Sequence, residues 1–428
     1  MLQNEKVSES KLTSILQEQC KSQVKGRKVL SLCDTCTISL ENSKNRLIDY
    51  EGLGNVGRNQ YDHQSLGFHI HPILIYDRTS KVALGISAVE LINRLIVAER
   101  KKSERWKTKD IPIEEKESYK WIGPCLKSME NALSEAVHVT FVMDREGDIM
   151  DVFDKLKSEK SDVLVRSMHN RKVINNEGER SRINDVLAKQ EVQCKTEIEI
   201  KSKKRKRRKA ILDVKFTECE LQWPLRQKVK QKLHPEGITV SIIEVRENKH
   251  KGYKKEPPLV WKLITTEKVE TVAQALEQIE NYKQRWEIEV FFKLLKTDGF
   301  NIEATELTTG KAIRKLALFI MKASVKILQL KAARSGNTDI KTAEVFNENE
   351  IECLDKLNNK LEGQTKAQQN PYDRNHLSWA SWIIARLGGW KSFYDKNRPP
   401  GNKSFVWGLE KFESIMIGYN IFNNKDVS

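Results

Sequence analysis

Two short apolar runs that each end in a carboxylate constrain the fold more than any other feature. Val29-Leu30-Ser31-Leu32-Cys33 leads into Asp34, and Val137 through Met143 leads into Asp144. Runs this short, rich in valine and bounded by charges, read as buried strands rather than helices. Each would deliver its aspartate to a strand end. A third such run, Asp162 to Ser167, follows a helical pattern from Ile149 to Ser158. His69 to Tyr76 and Val82 to Ser87, joined by a polar turn, predict an antiparallel hairpin. Glu114 to Ala136 is expected as one helix, charged and then amphipathic. Strands of both directions with helices between them predict an α/β fold with a mixed sheet.

From about Arg182 to Thr266 the pattern changes to period two, which predicts a mostly β insertion. Its centre, Lys201-Ser202-Lys203-Lys204-Arg205-Lys206-Arg207-Arg208-Lys209, is a basic hairpin tip. A solvated loop is the plain alternative, but cations packed this densely favour phosphate contact. A long helix is then expected from near Thr271 to near Gly299, followed by an amphipathic helix from Lys311 to Arg334. Gly336 to Tyr372 reads as partly flexible. The tail, with Trp379, Trp382, Trp390 and Trp407, reads as a small helical unit packed by aromatics. The divisions are therefore a helical segment 1–28, an α/β part 29–181, the insertion 182–266, a second α/β part 267–335 and a helical region 336–428.

The chain has 428 residues and a formal charge of +16, a surplus that points to a polyanionic partner, nucleic acid before anionic membrane. It shows neither a signal-peptide pattern near its start nor an apolar run long enough to span a bilayer, so a soluble, cytoplasmic protein is expected. Seven scattered cysteines argue against a disulfide framework. Cys33 and Cys36 form a lone Cys-x-x-Cys without a second pair, which reads as small buried thiols before a zinc site. His69 and His71 share one strand face; they could ligate a metal, but surface or hydrogen-bonded histidines are the stronger reading.

On a helix, Tyr282, Arg285, Glu289 and Lys296 fall within an arc of roughly 60°. One stripe thus carries a phenol, a guanidinium, a carboxylate and an ammonium, a set suited to a metal-bound phosphodiester. Asp34 and Asp144 on strand ends with Glu289 on a late helix make the acid set that two-metal phosphoryl transfer needs.

Tyr282-x-x-Arg285-x-x-x-Glu289, continued to Lys296, resembles the Tyr-Arg-Glu-Lys signature of the insertion-sequence-four family of bacterial cut-and-paste transposases. Asp34-Thr35 and Asp144-Arg145-Glu146-Gly147-Asp148 resemble that family's first and second acid motifs. Glu115-Lys116-Glu117-Ser118, Lys120-Trp121 and the tail around Arg386-Leu387-Gly388-Gly389 are similar as well. The resemblance implies a ribonuclease H-like core in which Asp34, Asp144 and Glu289 bind two Mg²⁺ ions, with Mn²⁺ able to substitute. It implies that Tyr282, Arg285, Lys293 and Lys296 contact DNA and that Arg166 holds a distorted strand. Lys204, Arg205, Arg207 and Arg208 of the tip are added as DNA contacts on charge. Trp261, by itself a core strand residue, aligns with a tryptophan that stacks on an extruded base. The implied activity is nicking, hairpin formation and reopening at a transposon end, then joining to target DNA, by a homodimer near the nucleoid. The family usually carries a helical DNA-binding domain before its first acid, whereas 33 residues precede Asp34. A nuclease without strand transfer, or a non-catalytic inhibitor, is the alternative.

Overall fold

The structure, a computed structural model, describes residues 2–57, 65–94, 111–202, 205–224, 232, 236–248, 258–391 and 399–423. Its first half comprises α1 (Glu9–Val24), β1 (Lys28–Cys33), β2 (Cys36–Ser39), β3 (Gly54–Asn55), β4 (Leu66–Asp77), β5 (Ala83–Ile92), α2 (Gly123–Glu130), β6 (His138–Met143), α3 (Met150–Leu156), β7 (Ser161–Arg166), β8 (Lys172–Asn175), β9 (Arg180–Arg182) and α4 (Ile183–Lys189). The second comprises β10 (Cys194–Ser202), β11 (Arg205–Leu221), β12 (Ile238–Glu247), β13 (Val260–Thr265), α5 (Val272–Gln284), α6 (Trp286–Lys296), α7 (Gly310–Ala333), α8 (Glu348–Leu361), α9 (Leu377–Leu387) and α10 (Asn402–Phe422).

All the strands among the described residues join one mixed sheet. β4 pairs antiparallel with both β5 and β1, whereas β1, β6 and β7 are parallel to one another. This mixed sheet flanked by helices is the expected α/β, ribonuclease H-like architecture. β13 pairs antiparallel with β7, and β12 and β11 follow, so the strands of segment 182–266 extend the same sheet. Strand side chains alternate between two faces, and each face carries its own core. Val29, Cys33, Phe141, Met143, Val163 and Val165 pack beneath α2, α3 and α4. Leu30, Leu32, Val142 and Leu164 face α5, α6 and α7. At the β5 edge α1 divides its apolar residues, giving Leu12 and Leu16 to one core and Cys20 and Val24 to the other.

Three local expectations are corrected. Glu114–Ala136 is not one helix: two 3₁₀ turns precede α2, which begins only at Gly123. Pro124 has no N–H for a preceding turn and is tolerated only in a first turn, so the helix restarts there. The long helix starts where expected, at the capping box of Thr271 and Gln274, but breaks at Arg285 into α5 and α6. There the Arg285 N–H donates to Tyr282 O at 3.1 Å and Ile288 N–H to Arg285 O at 3.2 Å, the tighter 3₁₀ pattern. Gly336–Tyr372 contains α8, capped by Asn347 and Glu350 and buried along Ile351, Cys353 and Leu354. Its Asn- and Lys-rich outer face masks that narrow apolar stripe.

Candidate active site

Strand register brings the two aspartates together. Lys28 lies opposite His138, and the pairing holds in step to Leu32 opposite Val142. Carried two residues further, it sets Asp34 level with Asp144. From β6 to β7, Val139 lies opposite Ser161 and Met143 opposite Val165, which sets Asp144 level with Arg166. Residues on one rung of parallel strands point to the same face. That face, shared with Leu32, Val142 and Leu164, is the one covered by α5 and α6.

Asp34 sits at an interruption. β1 and β2 keep a single register against β4, with Cys33 opposite Ile73 and Cys36 opposite Ile70, so Pro72 faces Asp34. On this edge Arg78 N–H donates to Lys28 O, and Leu40 N–H to Leu66 O, both of the same parity as the Asp34–Pro72 rung. Proline has no N–H to give, and the ladder lapses at Asp34 and Thr35. The free turn lets Thr35 N–H donate to Asp34 Oδ1 at 2.7 Å.

Arg285, at the break between α5 and α6, reaches into this gap. It donates from Nη1 to Asp34 Oδ2 at 3.0 Å and from Nη2 to Glu289 Oε1 at 2.5 Å. Burial pushes the Asp34 carboxyl up to about 6; Arg285 and the Thr35 N–H act against this, while Asp144 and Glu289 add to it. Asp144 caps the following 3₁₀ turn, its Oδ1 accepting from Glu146 N–H at 2.8 Å. That turn is tight: a Cβ on Gly147 would lie 2.6 Å from Met143 Cβ. Asp148 anchors it, accepting from Met168 N–H at 2.7 Å, His169 N–H at 3.0 Å and Arg171 Nε at 2.7 Å.

The three acids therefore share one electrostatic site, but among the described residues no three carboxylates, histidines or cysteines stand close enough to hold a metal. The Arg285 guanidinium is the cation between Asp34 and Glu289. The donor set fits a hard divalent ion, being all oxygen and short of positive charge.

Around the acids, the guanidinium groups of Arg166 and Arg285 reach the Tyr282 hydroxyl. Burial raises the Tyr282 pKa, so its hydroxyl stays protonated. Arg166 also donates to Val260 O at 3.3 Å. Trp261 is half-buried and packs edge-on against Tyr282, ring centres 5.6 Å apart. Lys296 points away along the stripe, donating to Thr37 O at 2.9 Å and pairing with Glu303 at 2.8 Å. Lys293 lies over the exposed Trp286 ring, 5.6 Å from its centre. Lys204 lies outside the described residues. Arg205, Arg207 and Arg208 belong to β11, the strand that pairs with β10 as the second half of a hairpin.

His69 and His71 are buried, with Nδ1 of each bonded to a threonine hydroxyl. Cys33 and Cys36 are buried thiols. In the tail, Trp379 and Trp382 are core residues, whereas Trp407 is 54% exposed, against the packed role expected for it. Sequence reasoning named Asp34-Thr35 together but missed His71 as the partner of Thr35; a proline inside an otherwise central strand was the available signal.

Residues 122–325 match the transposase DDE domain family, a stretch that includes Asp144 and Glu289. The match supports a DDE transposase, and transposases act on DNA. Among the described residues no helix is long and apolar enough to cross a membrane.

Proposed function

We propose that this chain cuts DNA at transposon ends and joins the freed 3′ hydroxyl to target DNA, through a metal site of Asp34, Asp144 and Glu289. The observation that carries the reading is Arg285 bridging Asp34 and Glu289 over strands that set Asp34 level with Asp144. The carboxylates would hold two Mg²⁺ ions, with Mn²⁺ as a substitute; when bound, such ions activate the attacking oxygen and stabilise the leaving one. Arg285, released from its two acids, is placed to clamp a phosphate, and so is Arg166. Tyr282 orients both guanidinium groups. Trp261, half-buried and edge-on to Tyr282, offers an aromatic surface to an extruded base, which suits a hairpin intermediate. Lys293 and Lys296 follow Glu289 on the same helix, and the tip residues Lys204, Arg205, Arg207 and Arg208 are taken as further DNA contacts on charge alone. The likeness of the motifs to the insertion-sequence-four signature supports the finer family assignment, Mg²⁺ and action near the nucleoid. A homodimer is supported by the outer face of α10, where Trp407, Ile417 and Ile421 are exposed.

The test uses the full chain with Mn²⁺ or Mg²⁺, DNA of the two regions that flank its gene, and a pre-cut end with a plasmid target. Cleavage and joined product are expected, both abolished by Glu289→Ala with DNA binding retained. Cleavage without joining would reassign the protein as a nuclease; DNA binding without cleavage would make it a non-catalytic binder. Replacing the four tip cations with alanine should flatten the salt dependence of DNA binding, by up to about 0.9 in slope for each phosphate that the tip no longer neutralises.

A further inference from the structure

We infer that His71 is a positioning residue for Asp34, acting through Thr35. The inference rests on the reading of Asp34 as a metal-binding acid. Thr37 lies opposite His69, and the same register sets Thr35 opposite His71. Each pair is bonded, Thr35 Oγ1 to His71 Nδ1 at 2.9 Å and Thr37 Oγ1 to His69 Nδ1 at 3.1 Å. Of the two backbone groups fixed in this way, Thr35 N–H holds Asp34 Oδ1 in the site, and Thr37 O receives Lys296 further along the same stretch. The imidazoles thus brace, from the reverse face of the sheet, a stretch that the Pro72 ladder gap leaves unsupported.

The ring itself is rigid and neutral. His71 is fully buried and packs edge-on against Trp121, ring centres 5.1 Å apart. Burial, then Lys120, pushes its pKa down to about 3. Among the described residues its Nε2 is buried without a hydrogen-bond partner, a cost to the fold. A phenylalanine would fill the same space without that cost. What the imidazole adds is the Nδ1 bond to Thr35, the kind of outer-shell interaction that orients a ligand carboxylate.

The experiment compares His71→Phe, Thr35→Val and Thr35→Ser in the full chain. The readouts are Mn²⁺ affinity by electron paramagnetic resonance, Mn²⁺-dependent nicking of supercoiled plasmid at saturating DNA, plasmid affinity and thermal unfolding. His71→Phe and Thr35→Val should lower Mn²⁺ affinity or nicking rate about 10- to 100-fold. Plasmid affinity and unfolding temperature should not fall, and Thr35→Ser should restore near-wild-type behaviour. Wild-type nicking and Mn²⁺ binding in His71→Phe, equal loss in Thr35→Ser and Thr35→Val, or loss matched by a lower unfolding temperature would each overturn the inference. Asp34→Asn and Glu289→Gln separate the two levels. If they nick and bind Mn²⁺ as wild type does, or if wild type itself does neither, the site reading fails and this inference with it. If they are inactive while His71→Phe is active, only this inference fails.

Discussion

Arg78 and Arg285 each lie between two carboxylates, one near either end of the strands β1 and β6. Arg78, just past β4, donates to Glu277 at 2.9 Å, to Glu267 at 2.9 and 3.1 Å, and to Thr140 at 3.4 Å. The arginine is buried, while the Glu277 side chain is 50% exposed and keeps its water. At the other end Arg285 gives single bonds to Asp34 and Glu289, and here a carboxylate is drawn in with it. Burial favours the neutral form of Asp34 more than the neighbouring guanidinium favours the charged one. The first arrangement ties α5 to the sheet and leaves its second carboxylate, Glu277, half in solvent. The second holds an excess of acid under tension, which is what a site for a divalent cation requires.

The sharpest way to break this comparison is to neutralise one glutamate from each cluster. Glu289→Gln should lower nicking about 1000-fold or more, as loss of a reacting-site group does, whereas Glu277→Gln should leave the nicking rate unchanged. The arginines themselves should differ next. Arg78→Ala should cost about 3 kcal/mol in urea unfolding and should not be rescued by Mn²⁺. Arg285→Ala should destabilise the fold at pH 8 but little at pH 5, where Asp34 can take a proton, and Mn²⁺ should recover the loss. Equal losses at both pH values in the two variants would remove the distinction.

A smaller effect concerns Asp34 alone, in EDTA. Its folded carboxyl titrates near 6 against an ordinary value of 3.8, so between those values the folded chain keeps a proton that the unfolded chain has released. Stability therefore falls as pH rises through that window and stays low above it. The displacement amounts to at most about 3 kcal/mol. Asp34→Asn has no such loss and should melt a few degrees higher than wild type at pH 8, with no advantage at pH 4. An unchanged difference across that range would mean the carboxyl is not desolvated.

The strands bearing the acids were legible because burial on two faces demands continuous apolar runs, and Val29–Cys33 and Val139–Met143 supply them. The start of α5 was legible too, since Thr271 and Gln274 form a local cap. Helix α8 was not, because only a narrow stripe of Ile351, Cys353 and Leu354 is buried among polar neighbours. Nor was the stop ahead of α2, where Pro124 outweighed a helical periodicity.

What the sequence determined by itself is the chemistry available: which residues are acids, where the apolar runs end, and which cations share a helix face with Glu289. Those are properties of composition and local period. Only the tertiary structure decided that Asp34 and Asp144 stand level, that Pro72 opens the ladder beside the first, and that Arg285 lies between Asp34 and Glu289. The register of β1 on β6 is set by pairing between strands more than a hundred residues apart in the chain, and the residue facing Pro72 by the separate pairing of β1 and β2 with β4. No local pattern encodes either, and the acids become a site only through them.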